Sequence, residues 1–322
     1  MVTSLYLMPT GNCNCVCEYC YFPAGLKRGD PALFMRIAES FTKHIINSNP
    51  PARPQIRFTG GEPWLEKYLL FKTTDYFFKK VPDGLVIVNT NGTILPADRL
   101  RFFQGEKRLI HVVSLDGPEI LHDSRRRMAD GKGSFHRVVA GVKMLMDLDL
   151  PVYLNAVLDA RSSTCLPDYL SFISEELGLK ELSISLLHRD KNPLSPEERY
   201  ELLENAYSKA SRHSIRLGGH HRLLLGHWIP ELQCTAGNTT ALVDPNGMIH
   251  ACQRFVGRVK PDCLWTDDFD WEGFKSKQAC GPVCGSRHDY HVGKKLYDLY
   301  RNQYPEYLYC HPLDRSLFGV LS

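Results

Sequence analysis

Short apolar runs recur through the first 186 residues, and helical spacing follows nearly every one of them. Residues 3–8 read as a short strand that Pro9-Thr10-Gly11 ends. Asp30-Pro31 has the form of an N-cap with proline at the first helical position. Phe34, Ile37, Ala38, Phe41 and Ile45 then lie on one apolar stripe of the helix it opens. Gln55-Ile56-Arg57-Phe58 is a second strand, residues 65–80 a helix, residues 84–88 a third strand and 109–113 a fourth. Val138, Val142 and Leu145 follow one stripe of a helix ending at Asp149. Residues 152–157 form a fifth strand, 166–177 a helix and 182–186 a sixth strand. Ser195-Pro196-Glu197-Glu198 is a capping box that starts a helix of about four turns. Strands alternating with helices imply an α/β fold with a parallel sheet. The rhythm stops near residue 215, where Cys, Gly and His become dense, so the chain divides into 1–215 and a Cys-rich 216–322.

Composition changes this picture little. The 322 residues are 43% apolar and 23% charged, as in an ordinary globular protein. A formal charge of +3 favours neither a nucleic acid nor a membrane as partner. Met1-Val2-Thr3-Ser4-Leu5-Tyr6-Leu7 carries neither the basic nor the long apolar segment of a signal peptide. No apolar run approaches the length of a membrane span. Eleven Cys without an export signal point to metal or redox chemistry in a reducing, cytoplasmic compartment. Four lie within residues 13–20, six lie after residue 233, and Cys165 stands alone.

The candidate chemistry begins at Cys13-Asn14-Cys15-Val16-Cys17-Glu18-Tyr19-Cys20. Without Cys15 the spacing is C-x3-C-x2-C. Three thiolates at such spacing hold three irons of a [4Fe–4S] cluster and leave the fourth open to a small molecule. A zinc knuckle or a redox pair of thiols is the competing reading, although zinc sites usually draw a second ligand pair from elsewhere. Thr59-Gly60-Gly61-Glu62-Pro63 closes the second strand. Glycines there let backbone approach a ligand, and Glu62 can accept from an ammonium group; a bare turn needs only the Gly-Gly. Asn89-Thr90-Asn91-Gly92-Thr93 ends the third strand and also reads as a tight turn. Ser114-Leu115-Asp116-Gly117-Pro118 ends the fourth, followed by His122-Asp123-Ser124-Arg125-Arg126.

With Tyr19 before the last Cys and Tyr21 after it, the first motif resembles the radical S-adenosylmethionine (radical SAM) superfamily. The resemblance implies a partial (β/α)6 radical SAM barrel whose open iron chelates the SAM amino and carboxylate groups. An electron from the cluster then releases a 5′-deoxyadenosyl radical. Gly60, Gly61 and Glu62 match the family's GGEP motif, which grips the SAM amino group. The Ser-Leu-Asp-Gly run, with His122-Asp123 and an Arg beyond, is similar to the anaerobic sulfatase maturase branch. On that likeness Ser114 is expected near the SAM carboxylate or ribose, Arg126 near the carboxylate, Asn155 near the ribose and Tyr19 on the adenine. Asn91 joins them as a cofactor contact. The remaining arginines of Arg125-Arg126-Arg127 read as a solvated loop.

The second half holds a further set. Two apolar runs around Asp244-Pro245-Asn246-Gly247 make a hairpin that folds Cys252 back toward Cys234. Cys280-Gly281-Pro282-Val283-Cys284 adds a C-x3-C, and Cys310 closes the set. This resembles the SPASM extension, which carries two auxiliary [4Fe–4S] clusters. One C-x2-C pair of that pattern falls here on Trp271 and Phe274. Carried over by position, Cys234, Cys252 and Cys284 belong to the first auxiliary cluster, and Cys280 and Cys310 to the second, with Cys263 a displaced third ligand. Alternatively the set regroups into one cluster, as in the shorter twitch variant; one auxiliary cluster is the expectation. His220, His221 and His227 stand as spare ligands, and a zinc ribbon is the competing reading.

Gln253 follows the Cys of G-x4-C where the sulfatase-maturing branch has an Asp expected to act as base, which argues against sulfatase activation. The chain starts directly at its first strand, so no leader-peptide-binding domain is expected ahead of it. The expected function is that of a radical SAM oxidoreductase that modifies a peptide or protein side chain, as a thioether or carbon–carbon cross-link. An electron donor such as flavodoxin or ferredoxin and a separate leader-peptide-binding protein are the expected partners. A twitch-like dehydrogenase or cyclase acting on a small molecule is the alternative, and a zinc- or cluster-binding regulatory protein is the rival of another class.

Overall fold

A ten-stranded sheet forms the spine of the structure, a computed structural model that describes residues 1–22, 27–50, 52–187, 194–219, 224–225, 234–278 and 290–303. The first third holds β1 (Ser4–Leu7), β2 (Cys15–Cys17), α1 (Pro31–Ser48), β3 (Gln55–Phe58), a 3-10 turn at Pro63–Glu66, α2 (Lys67–Lys80) and β4 (Leu85–Thr90). Then come α3 (Ala97–Leu100), β5 (Leu109–Ser114), α4 (Glu119–Arg125), β6 (Arg126–Met128), α5 (Phe135–Asp147) and β7 (Val152–Leu158). The rest comprises α6 (Ser162–Ser171), β8 (Glu181–Leu186), α7 (Pro196–Arg212), β9 (Arg216–Gly218), β10 (Thr240–Val243), β11 (Met248–His250), β12 (Cys263–Leu264) and α8 (Tyr290–Gln303). The sheet order is β12-β11-β10-β1-β3-β4-β5-β7-β8-β9, parallel from β10 through β9, and this is the expected α/β class.

Capping chemistry explains where the helices begin. Asp30 accepts from Ala32 N at 2.9 Å, and Ser195 and Glu198 bond each other's backbone amides across the start of α7. α6 opens at Ser162, earlier than its apolar stripe suggests, and ends in a π turn, Phe172–Glu176. The rhythm does not stop at 215. β9 adds a parallel strand beside β8, too short and too mixed in sequence to show a period. The expected hairpin is also present, its turn held by Asp244 Oδ1 accepting from Asn246 N and Met248 N. β10 pairs with β1 in register, Ser4 opposite Thr240, so the hairpin continues the same sheet.

Alternation divides each strand between two environments. Leu5, Leu7, Ile56, Phe58, Val86, Val88, Leu154 and Ala156 point into one large core under the helices. Trp271 and Phe274, standing where the likeness calls for cysteines, belong to that core. Trp271 packs edge-on against Phe41, and its Nε1 donates to Ser40 Oγ at 3.0 Å. The opposite face of the sheet carries two small apolar patches, Leu85, Ile87, Ile110 and Val112 beside Tyr153, and Met8, Leu242 and Val256 beside Tyr6 and Phe22.

Candidate active site

The stretch 13–20 is partly a strand rather than a free loop. β2 pairs antiparallel with β6, placing Cys15 opposite Met128, Val16 opposite Arg127 and Cys17 opposite Arg126. Alternation turns Val16 to solvent and leaves Cys15 and Cys17 on the same face. Cys15 is buried with its Sγ 3.7 Å from Met128 Sδ, Cys17 is half-buried, and Cys13 and Cys20 are exposed. The Cys13 thiol is lowered to about 6, first because Cys15 donates to it, with Asn91 and Arg126 assisting. Hydrogen bonding to Cys13 and burial push the Cys15 thiol far up. Burial raises Cys17 to about 11, against the pull of Arg126. Among the described residues no three His, Cys, Asp or Glu side chains already converge as a metal-binding group. The donor chemistry nevertheless fits a cluster: Cys13 and Cys20 are exposed and Cys17 half-buried on one short segment, and Cys20 and Cys13 both act on the charge of Cys17.

Two strand-end turns clasp this segment. Asn91 donates from Nδ2 to Asn14 Oδ1 at 2.8 Å and toward Cys13 Sγ at 3.7 Å, and Asn14 Nδ2 donates to Thr93 Oγ1 at 2.7 Å. Gly61 N donates to Thr10 O at 3.0 Å and Glu62 N to Asn12 O at 2.8 Å. A Cβ on Gly61 would lie 1.9 Å from Asn12 O, so glycine here serves the approach of two backbone segments. Gly60 adopts φ +121°, which itself demands glycine. The Glu62 carboxylate is fully buried. It accepts from Trp64 N at 3.0 Å, Thr90 Oγ1 at 2.8 Å and Asn91 N at 2.7 Å, joining the ends of β3 and β4. Burial pushes its pKa up to about 7 against those three donors.

Asp116, two residues beyond Ser114, is a hub that sequence reasoning passed over. Fully buried, it accepts from the Tyr19 hydroxyl, from Arg126 Nε at 2.8 Å and from Val157 N at 3.0 Å. Burial works against its charge, yet Arg126 and the other donors hold its carboxyl below the usual carboxylate range. The Arg126 guanidinium carbon lies 5.2 Å from the Tyr19 ring centroid, and Nη1 is 3.8 Å from Cys17 Sγ. Asp116 N donates to His122 Nδ1 at 3.2 Å, which leaves the proton on Nε2, 2.9 Å from Ser134 Oγ. Burial pushes His122 down to about 4, so it is neutral in this network.

The solvated reading of the arginine triple fails at Arg125. It is 1% exposed, donates to Val157 O at 2.8 Å and pairs with Asp159, which also pairs with Arg161. A backbone bond from Glu18 N to Arg125 O at 2.8 Å explains the burial, because β2 draws this turn under itself. Ser114 ends β5 in register with Asn155 of β7, and Asn155 Oδ1 accepts from Ser183 Oγ at 2.7 Å. A period of two continued past Ser114, the last residue of β5, is the signal that would have put Asp116 beside it.

The second cysteine set is described in part. Burial raises the Tyr6 hydroxyl, with Cys252 and Cys234 adding to the shift, and burial raises that of Tyr21, with Cys252 and Cys20 adding, so Tyr21 is within electrostatic reach of both thiol groups. Arg258 Nη2 donates to Tyr21 O at 2.7 Å. Thr59 Oγ1 donates to Gln253 Oε1 at 3.0 Å. Cys263 is exposed on β12, opposite Ile249. Cys280, Cys284, Cys310, His220, His221 and His227 lie outside the described residues.

Several known proteins are similar to this chain. Residues 7–159 match the Radical SAM superfamily model. The chain is 34% identical over 183 residues to the serine-type anaerobic sulfatase-maturating enzyme of Bacteroides thetaiotaomicron, covering 53% of this chain and 44% of that one. It is 26% identical over 182 residues to the cysteine-type enzyme of Clostridium novyi, covering 54% and 48%. The chain thus spans about half the length of the curated relatives it matches. Among solved structures, anSMEcpe with bound AdoMet superposes with a TM-score of 0.72 at 16% identity, over 95% of this chain and 99% of that one. Streptococcus suis SuiB bound to precursor peptide SuiA gives 0.66 at 15%, over 89% and 67%. These two likenesses concern the fold.

Proposed function

The chain carries a radical SAM enzyme domain, and on that premise we propose that it cleaves SAM and oxidatively modifies a peptide or protein side chain. The observation that supports the reading is the segment 10–17: Thr10, Asn12, Cys13 and Asn14 bond the turns that carry Gly61, Glu62 and Asn91, while Cys17 pairs with β6. Cys13, Cys17 and Cys20 would hold a [4Fe–4S] cluster, which when bound would supply the electron for cleavage of the SAM carbon–sulfur bond. The chain's own residues bind and orient: Ser114 ends β5 beside Asn155 of β7, and Arg126 opens β6 against the cysteine segment. A peptide substrate accords with the peptide complex of SuiB and with the maturases among the relatives. A thioether or carbon–carbon cross-link is the finer proposal, with a flavodoxin or ferredoxin as electron donor and a separate leader-binding protein as partner. The division at 215/216, an auxiliary cluster on the later cysteines and a reducing cytoplasmic setting complete it. Among the described residues no helix is long and apolar enough to cross a membrane.

The test is anaerobic reconstitution with iron and sulfide followed by dithionite and SAM. Release of 5′-deoxyadenosine, lost on Cys17→Ala, supports the enzyme reading; stoichiometric zinc with no iron overturns it. Mass loss of two hydrogens in a peptide, against none in small-molecule candidates, decides the substrate class.

A further inference from the structure

The family likeness reserves Arg126 for the SAM carboxylate, but its contacts are with the cluster segment itself. Nη1 lies 3.8 Å from Cys17 Sγ, the free thiol that stands in for a ligating thiolate. Nε is fixed at 2.8 Å by Asp116, and the Tyr19 ring lies beneath the guanidinium. Strand pairing sets the same relationship in the backbone, where Cys17 and Arg126 are direct partners. Reducing an iron–sulfur cluster adds negative charge to it. Hydrogen bonds to its sulfurs and nearby charge are therefore the levers by which a protein sets its potential.

On the radical SAM reading, we infer that Arg126 tunes the reduction potential of the SAM-cleaving cluster through Cys17, and that Asp116 is the positioning residue that holds and partly offsets its charge. The cation favours the reduced cluster, and the carboxylate behind it weakens that preference. The two side chains therefore act with opposite signs. Arg126→Gln makes the cluster harder to reduce. Asp116→Asn, which keeps the size and acceptor oxygen, makes it easier.

The experiment is a redox titration without SAM, following the electron paramagnetic resonance signal that SAM perturbs when added afterwards. Arg126→Gln should lower the reduced-to-oxidised ratio at a fixed potential by about tenfold, equivalent to ~59 mV for one electron. Asp116→Asn should raise it by a smaller factor. Should Arg126→Gln not hold its cluster, Asp116→Asn and Arg126→Lys carry the test, the lysine variant falling between wild type and the expected glutamine value. Shifts of the same sign in both groups, or unmoved potentials, overturn the inference while leaving SAM cleavage standing. A wild-type protein without any SAM-perturbed signal would sink the radical SAM reading, and this inference with it.

Discussion

Thr59 Oγ1 and Gln253 Oε1 share a hydrogen bond of 3.0 Å, fastening the residue before the Gly60-Gly61 turn to the residue after Cys252. The two positions are 194 residues apart in sequence, so the bond closes a long loop between the SAM-binding candidate and the later cysteines. Gln253→Ala should cost about 1 kcal/mol, as for a neutral hydrogen bond. Urea unfolding of the cluster-free protein measures it, and an unchanged midpoint means water replaces the contact.

Cys15 is buried on Met128, while Cys13 and Cys20 are exposed and Cys17 is half-buried. Cys15→Ala should therefore keep the iron content and 5′-deoxyadenosine release of the wild type, whereas Cys13→Ala, Cys17→Ala and Cys20→Ala should each lose both. An inert Cys15→Ala beside an active Cys17→Ala reverses the ligand assignment.

Glu62 gives a pH dependence of definite sign. Its pKa rises from the ordinary 4.5 to about 7, first through burial. The folded state then binds more protons than the unfolded one across that window, so this group's contribution to stability falls as pH rises from about 4.5 to about 7. Thermal unfolding of cluster-free Glu62→Gln should lose that part of the slope. An ammonium docked on the carboxylate works the other way, favouring the ionised form. If Glu62 receives it, SAM affinity increases through the same window in the wild type and stays flat in Glu62→Gln.

The strands around the sheet were legible because their residues are apolar on the helix side and bounded by turn residues, as in Gln55-Ile56-Arg57-Phe58. The cluster segment was legible as chemistry and illegible as structure. Cys15-Val16-Cys17 is too short for a period, and its partner Arg126-Arg127-Met128 reads as a charged loop until the pairing is seen. Glu62 was legible as a carboxylate at a strand end; its three internal donors come from the 3-10 turn and from β4, and no local pattern announces such contacts. Glycine at 60 and 61 was assigned to ligand access, while the structure assigns it first to contact with residues 8–12.

Arg125 and Asp159 form a buried pair whose members are 1% and 3% exposed. Removing Arg125 leaves the buried Asp159 carboxylate to Arg161 and Ser162, and breaking a buried pair costs up to about 3–5 kcal/mol. Arg125→Ala should lower the unfolding free energy by that order, and chemical denaturation reads it. Arg127→Ala, on the exposed side of the same ribbon, serves as the control and should change little.

β1 has parallel neighbours on both flanks, β3 within the barrel-like run and β10 from the later part of the chain. The hairpin therefore acts as a selvedge, closing a margin of woven backbone that would otherwise fray. A protein cut back to residues 1–215 would present Ser4–Leu7 with a row of unsatisfied amides and carbonyls beside Leu5 and Leu7, both wholly buried in the intact chain. Such a margin recruits other chains. Cys234, Cys252 and Cys263 lie on or beside this added margin, and losing it would show as precipitation before it showed as lost chemistry.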